Sequence, residues 1–353
     1  MTGRQIPRFE PIETERLRIR PVQPGDVDAL QQRRSDPTTA EFQAWDVPYP
    51  LDRAQALIDD VVALDATPPG DGWFQVTVVE RSTDAIVGDL AVHATFDARC
   101  AELGWTLDVD ARGKGYATEA VTALAAWCVE LLGVSRVSAT MHPDNHASAR
   151  VAERVGMVFE GIAENAFWLD RHDGTAENSH DLRYAMTVDQ WRAWRGRPQT
   201  PAGEVHLVPI EPGNITQLET LRTHRSQERL VAPMAASMFD AVSHLVSDSA
   251  AVPWLRGVRA DGEMVGFVML AEPTAERLDA YLWRLLIDRI YQRRGVGRQV
   301  LDAVVAQAKA WDAPALTVSW MPGPGSPEPF YLGYGFHPTG TNDHGEIDAR
   351  LDL

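Results

Sequence analysis

Two stretches decide the fold: ARGKGYATE at 111–119 and YQRRGVGRQ at 291–299. Both satisfy Gln/Arg-x-x-Gly-x-Gly/Ala, through Arg112, Gly115 and Ala117 in the first and Gln292, Gly295 and Gly297 in the second. A pattern this loose arises about once by chance in a chain of this length, so its weight comes from where it sits. Each copy follows a strand-like apolar run, LGWTLDV (103–109) or LWRLLID (282–288). Each precedes a run with 3.6-residue apolar periodicity: Val121, Leu124, Ala125, Cys128, Leu131 and Leu132 in one, Val300, Leu301, Val304, Val305, Ala308 and Trp311 in the other. The spacing therefore predicts a strand, a glycine-bearing basic turn and an amphipathic helix, twice.

The duplication extends outward. LRIRPVQPGDVDAL (17–30) matches VHLVPIEPGNITQL (205–218), with Pro21 against Pro209, Pro24-Gly25 against Pro212-Gly213 and Leu30 against Leu218. Asp26 and Asn214 are residue types suited to capping the helix that follows. AIVGDLAV (85–92) matches EMVGFVML (263–270), each the second strand of a hairpin after a polar turn. RVSATM (136–141) and ALTVSW (315–320) are further strands, each leading to a helix and a Gly-Met or Gly-Phe turn. That turn lies 44 residues beyond the motif in one copy (112 to 156) and 43 in the other (292 to 335). The class is α/β (α+β), present as two tandem domains at 8–190 and 204–353. The Pro-, Gly- and Arg-rich stretch 191–203, WRAWRGRPQTPAG, reads as a linker whose two tryptophans pack against a domain.

The 353 residues carry a formal charge of −17, with 20 basic against 31 acidic residues up to Gly203 and 13 against 19 after it. Neither half has the basic footprint of a nucleic-acid binder. A negative field favours cationic ligands such as amines, weakly. No run is apolar and long enough to span a bilayer and the N-terminal stretch lacks a signal-peptide core, so a cytoplasmic location is expected. Cys100 and Cys128 form no disulfide or metal-ligand pattern, no metal is expected, and Cys128 falls on the apolar helical face as a core residue.

The turn composition suits a pyrophosphate. Small residues let the backbone come close, and the loop amides with the helix N-terminus supply donors. Candidate ligand-binding residues are Arg112, Gly113, Lys114, Gly115, Tyr116, Ala117 and Thr118, and likewise Gln292, Arg293, Arg294, Gly295, Val296, Gly297 and Arg298. Lys114, Arg293, Arg294 and Arg298 can add charge. The bland alternative is a helix-starting turn with solvated basic residues.

In these motifs the chain resembles the GNAT acetyltransferase superfamily over nearly its whole length, in two successive units. The resemblance implies that each unit has a mixed, mostly antiparallel central sheet flanked by helices and that each motif binds the pyrophosphate of acetyl-CoA, a cosubstrate. The strand before the motif would splay from its neighbour with the pantetheine in the gap, along Leu107 and Val109 in one unit and Leu286 and Ile287 in the other. An amine would then attack the thioester directly, with no covalent enzyme intermediate.

The first unit is similar to the RimJ/RimL type in Thr14-Glu15-Arg16-Leu17, Glu102-Leu103-Gly104-Trp105, Asn145-x-x-Ser148, GMVFEG (156–161) and Asp181-x-x-Tyr184-Ala185-Met186. This implies that Asn145 touches the CoA arm and Ser148 protonates the departing thiolate. Asn145 is also a good helix cap, and Glu102 is either a base or a solvent-facing strand residue. Where some ribosomal members carry a catalytic carboxylate this chain has Phe167, with Glu164 nearby. The second unit is similar to bacterial diamine or polyamine acetyltransferases in QERLVAP (227–233) with Ser237, LWRLLID-x-x-YQRRGVG (282–297), Phe330-Tyr331-x-x-x-Gly335-Phe336 and HGEIDARLDL (344–353). This implies Tyr331 as the acid to sulfur. Its loop MPGPGSPEP (321–329) is richer in proline than the family's, and no base stands out among Asp279, Glu276 and Glu328. The expected partners are a small-molecule amine or a peptide N-terminus, with no nucleic acid and no membrane. The chain would be a monomer as an internal pseudo-dimer, or a homodimer. An alternative pairs one catalytic unit with a degenerate structural or CoA-sensing one.

Overall fold

Alternation sets the strand Leu17–Pro21: Leu17 and Ile19 are fully buried while Arg18 and Arg20 are not, so one face of LRIRP enters the core. Burying each such side chain contributes about 2 kcal/mol. The computed structural model describes residues 6–95, 99–170, 176–228, 230–246, 251–323 and 325–353. Arg229 and Pro324, inside two of the quoted motifs, lie outside the described residues. The chain divides into two units, Met1–Arg195 and Gly196–Leu353.

Unit 1 runs β1 (Ile12–Glu13), β2 (Leu17–Pro21), α1 (Val27–Arg34), α2 (Pro37–Ala40), α3 (Leu51–Ala63), β3 (Trp73–Glu80), β4 (Ile86–Thr95), β5 (Cys100–Leu107), α4 (Tyr116–Trp127), β6 (Arg136–Met141), α5 (His146–Val155), β7 (Val158–Asp170), β8 (Ala176–Thr187) and α6 (Val188–Arg195). Its eight strands lie in the order β1-β2-β3-β4-β5-β6-β8-β7. All neighbours pair antiparallel except β5 with β6. Unit 2 runs β9 (Val205–Val208), α7 (Ile215–Glu219), α8 (Arg225–Glu228), α9 (Met234–Val246), β10 (Pro253–Ala260), β11 (Glu263–Ala271), β12 (Ala280–Ile287), α10 (Val296–Ala310), β13 (Ala315–Trp320), α11 (Glu328–Tyr334), β14 (His337–Thr341) and β15 (Ile347–Asp352). Its order is β14-β15-β13-β12-β11-β10-β9, with β12 and β13 the parallel pair. The two mixed, mostly antiparallel sheets flanked by helices match the expected class.

The repeat is a repeat of packing. Gly88 and Gly266 hold equivalent places, and a β-carbon on either would come within 2.5 Å of the backbone oxygen of Thr106 or Leu286 on the next strand. The helices α4 and α10 bury the expected faces, Val121, Leu124 and Ala125 in one and Val300, Leu301 and Val304 in the other. Leu131 departs from expectation and is 56% exposed. The chain changes to a π-helical turn over Cys128–Leu132, which rotates Leu131 off the buried face. Cys128 remains in the core, and burial pushes its thiol pKa up.

Asp26 and Asn214 precede α1 and α7 as expected, but neither side chain caps its helix. Each reaches back three residues instead, Asp26 accepting from the Gln23 amide at 3.0 Å and Asn214 from the Glu211 amide at 3.0 Å. Asp26 also takes two Arg20 bonds at 2.8 Å and the Thr77 hydroxyl at 2.7 Å. Burial alone would raise its pKa, and these donors hold it below the usual carboxylate range.

The stretch 191–203 begins inside α6, whose Trp191 and Trp194 are buried. Trp194 lies over the C-terminal glycine of α5: a β-carbon on Gly156 would sit 2.4 Å from the Trp194 ring. Trp194→Ala should therefore destabilise unit 1 by about 3 kcal/mol, and denaturant unfolding read by far-UV circular dichroism checks this. An unchanged midpoint for every transition would detach α6 from the unit 1 core.

Candidate functional site

Each sheet opens at its parallel pair. The strands β5 and β6 pair only from Cys100↔Arg136 to Glu102↔Ser138, although β5 continues to Leu107 and β6 to Met141. In unit 2 pairing stops at Leu282↔Val318, while β12 runs on to Ile287 and β13 to Trp320. A gap thus lies between the C-terminal halves of both pairs. The gaps differ in one respect. The β11–β12 register shifts between Met269 and Leu270, leaving Trp283 as an extra residue directly after the last β12–β13 pair. The β4–β5 register runs without a shift.

The motif turns stand at the ends of these gaps. Gly113 and Gly115 have φ of 75° and 85°, and Arg293 and Gly295 have φ of 65° and 81°. Gly115 and Gly295 are the N-caps of α4 and α10. Arg293 accepts a left-handed conformation that costs an ordinary residue about 1 kcal/mol. Two left-handed residues two apart curl successive amides toward one concavity. The carbonyl before each N-cap glycine is held from behind: Arg16 Nη1 donates to Lys114 O at 2.8 Å, and Ala202 N donates to Arg294 O at 2.9 Å. In a trans peptide the following N–H points the opposite way. Among the described residues, the amides of 113–118 and 293–298 have no acceptor. The clamp is repeated one helical turn on. Glu119 accepts from Thr14 Oγ1 at 2.6 Å and from Arg16 N at 2.9 Å. Gln299 accepts from Val205 N at 3.2 Å and donates to Gly203 O at 3.0 Å. The quoted Thr14-Glu15-Arg16 stretch serves this clamp, and neither Arg16 nor Gln299 was among the expected site residues.

The turn amides are left without acceptors among the described residues, whereas several of the candidate side chains are engaged elsewhere. Arg112 turns away from the concavity, donating to Leu107 O and to Thr38 and Thr39 on α2. Gln292 does the same toward Ile287 O and Gln227 on α8. Arg294 is buried, bonding Thr200 O at 2.8 Å and Asp261 at 2.5 Å, so it anchors the start of unit 2 and offers no free charge. Tyr116 is also buried, its hydroxyl on Glu80 and its ring beneath Arg16, and Val296 lies in the core. A side chain at the first helical position points back along the axis into the fold, which the pattern does not reveal. Lys114, Arg293 and Arg298 are exposed, and Ala117, Thr118 and Gly297 are half-buried beside the gap ends. Val109 is exposed beyond β5, whereas Leu107 and Leu286 are buried and Ile287 is half-buried.

Asn145 caps α5 through its carbonyl oxygen, 3.1 Å from Ser148 N. Ser148 is half-buried, and among the described residues its hydroxyl has no partner. Tyr331 lies near the start of α11, four residues before Gly335. Its ring stacks on Trp320 at 5.4 Å and 16° and meets Phe336 edge-on, and burial pushes its pKa above the usual tyrosine range. Glu102, the last β5 residue paired to β6, accepts from Thr140 at 2.6 Å. Asp279 is bound to Arg350. The Phe167 side chain lies outside the described residues.

Three features escaped sequence reasoning because they join residues distant in sequence. Asp181 on β8 has its pKa raised, first by burial and then by the Glu102 charge, placing two carboxylates on one face beside the unit 1 gap. In unit 2, Tyr281 Oη lies 2.8 Å from Ser319 Oγ, which donates to Glu346 at 2.7 Å. Along the outer side of α4 a cleft of about 580 Å³ begins at Gly115 and is bordered by Arg16, Arg154 and Arg195. Among the described residues no cluster of His, Cys, Asp or Glu could hold a metal, and no helix is long and apolar enough to cross a membrane.

Comparison with known proteins identifies the family. The family profile of the acetyltransferase (GNAT) domain matches residues 16–158, and that of the acetyltransferase (GNAT) family matches 218–323. The uncharacterized N-acetyltransferase YnaD of Bacillus subtilis is 25% identical over 185 residues, covering 51% of this chain and 98% of its own. The uncharacterized N-acetyltransferase YoaA of the same organism is 26% identical over 155 residues, covering 44% and 86%. A GNAT-family acetyltransferase structure from Bacillus anthracis superimposes with a TM-score of 0.44 at 24% identity, covering 51% of this chain and 99% of that one. The two profiles fall one in each structural unit and together span more than half of the residues, and the chain therefore belongs to the GNAT acetyltransferase family, carrying two such domains in tandem.

Proposed function

We propose that both units bind acetyl-CoA and transfer its acetyl group to a primary amine by direct attack within a ternary complex. The observation that carries this reading is the pair of turns whose amides face a concavity, without acceptors, at the mouth of parted strands. The donor set suits a diphosphate: in each copy several N–H groups converge at a helix N-terminus and no carboxylate of the turn competes. CoA supplies a thioester carbon open to nucleophiles. A protonated amine loses one proton before it attacks and a second as the new C–N bond replaces the C–S bond, so the protein must take these protons from nitrogen and give one to sulfur.

Ser148 and Tyr331 suit the second task. Both stand in the first turn of the helix that follows the far strand of the gap. The raised pKa of Tyr331 keeps it protonated at neutral pH, as an acid must be. The first task depends on the amine. An alkyl amine with pKa ~10.4 costs about 4 kcal/mol to deprotonate near pH 7, and a peptide α-amine with pKa ~8 costs about 1 kcal/mol. In unit 1 the Glu102–Asp181 pair is the acceptor of that proton, and it would also attract a cationic substrate. In unit 2 the Tyr281–Ser319–Glu346 chain leads the proton from the gap to a carboxylate. The cleft beside α4 takes the nucleotide end of CoA, with Arg154 and Arg195 facing its 3′-phosphate.

Calorimetric titration with CoA should give two sites per chain. Gly115→Glu, at a position with φ of 85°, and Gly297→Glu, where an added β-carbon would lie 3.2 Å from Phe330, should each remove one site. Unchanged stoichiometry in both variants sinks the donor sites, and one site in the parent chain selects the alternative with a degenerate unit.

With the first site removed by Gly115→Glu, the added change Tyr331→Phe should lower thiol release with a polyamine or peptide panel by about 10²-fold, while CoA affinity stays within about twofold. Equal turnover removes Tyr331 from the chemistry.

Dephospho-CoA should bind unit 1 about tenfold more weakly than CoA, the scale of one charge-assisted hydrogen bond. Arg154→Ala combined with Arg195→Ala should erase that difference, measured in the Gly297→Glu chain. Discrimination that survives there would place the 3′-phosphate elsewhere.

A further inference from the structure

The first residue of each motif does a job for which phosphate binding gives no reason. Arg112 Nε donates to Leu107 O, the last carbonyl of β5, at 3.4 Å. Its two remaining nitrogens reach Thr38 Oγ1 at 3.2 Å and Thr39 Oγ1 at 2.5 Å. Gln292 Nε2 donates to Ile287 O, the last carbonyl of β12, at 2.9 Å, and to Gln227 Oε1 at 2.9 Å. Gln227 Nε2 returns a bond to Gln292 Oε1 at 3.3 Å. Two different side chains thus make the same tie in the two units. Each joins the strand end and turn to the helical segment that lies between the first and second long strands of its unit.

That segment reaches across the site. In unit 1, Asp36 organises it by accepting from Thr39 N, Thr38 Oγ1 and Thr39 Oγ1, and these donors lower its pKa. Just beyond α2, the ring of Phe42 stacks on His142 at 5.0 Å and 22°. His142 directly follows β6, the far wall of the gap. The segment 36–42 therefore runs from the turn at the end of β5 to the end of β6. In unit 2, α9 continues from the Gln227 tie to β12, where Asp240 bonds Arg284 at 3.0 Å and the His244 ring lies 4.5 Å from Trp283 at the bulge.

We propose that Arg112 and Gln292 are positioning residues, which couple occupancy of the donor turn to the order of the segment covering the acceptor side of the gap. This rests on the donor-site reading above. Diphosphate on the turn amides fixes the peptide planes of 112–115 and 292–295, and the tie passes that loss of freedom to 36–42 and 224–228. The acceptor side is then ordered only when a donor is seated, which favours transfer to an amine over loss of the acetyl group to water. Neither side chain needs to touch the ligand.

The test is hydrogen exchange by mass spectrometry on the full chain with and without CoA, with binding followed by calorimetry. In the parent chain CoA should slow exchange at 36–42 and 224–228 about tenfold, the scale of one or two hydrogen bonds. Arg112→Ala should abolish the slowing at 36–42 and retain it at 224–228, and Gln292→Ala should do the reverse, so each unit controls for misfolding of the other. Arg112→Gln, which can still join a carbonyl to a hydroxyl, should restore protection at 36–42. Protection at 36–42 that persists in Arg112→Ala, or that is missing in the parent chain with two CoA bound, overturns the coupling. A parent chain that binds no CoA overturns the donor sites themselves, and calorimetry separates that result from the others.

Discussion

The structure depends on backbone amides left without acceptors. A turn with two left-handed residues cannot satisfy its own N–H groups, and the four amides opening a helix are unsatisfied in any case. The fold stabilises this condition by fixing the opposite side of the same peptides. In unit 1 a guanidinium holds Lys114 O and a carboxylate holds the backbone of the bend that carries that guanidinium. In unit 2 a backbone amide and a carboxamide do the equivalent work at Arg294 O and Gln299. The turn is held from behind, and its donor side stays open.

The second requirement is space. A single parallel pair within an antiparallel sheet leaves two neighbouring strands free to part, since their hydrogen bonds end after three residue pairs in each unit. The helices α4 and α10 start at that opening because the turn reverses the chain there, and their apolar faces hold the sheet together beneath it. Donor geometry and substrate space thus arise from one piece of topology. The candidate proton carriers come from the helix after the far strand and from strands on the other face.

Much of this was legible in the chain. The turns, the strands that flank them, the helix faces and the tandem arrangement follow from spacing, because glycine at a left-handed position and apolar period leave marks in sequence. What side chains do at those positions was not legible. Arg112 and Arg294 are both basic residues of a phosphate-type loop, yet one ties a neighbouring segment and the other is buried on Asp261. Partners from residue 38 or 261 leave no local signature. The same holds for Asp181 beside Glu102 and for the Tyr281–Ser319–Glu346 chain, since strand register decides which residues become neighbours. Leu131 failed for another reason: one π-helical turn broke the period on which the reading relied.

The bulge at Trp283 has a consequence for how the two halves can diverge. In β5 the core-facing residues Ala101, Leu103 and Leu107 keep one parity throughout, so every even-numbered side chain looks to the other side. In β12 the parity reverses: Ala280 and Leu282 enter the core before the extra residue, and Leu285 and Ile287 after it. Exchanging side chains between the halves therefore cannot convert one chamber into the other beyond that point. An inserted or deleted residue is needed, which gives the duplicated halves separate evolutionary tracks.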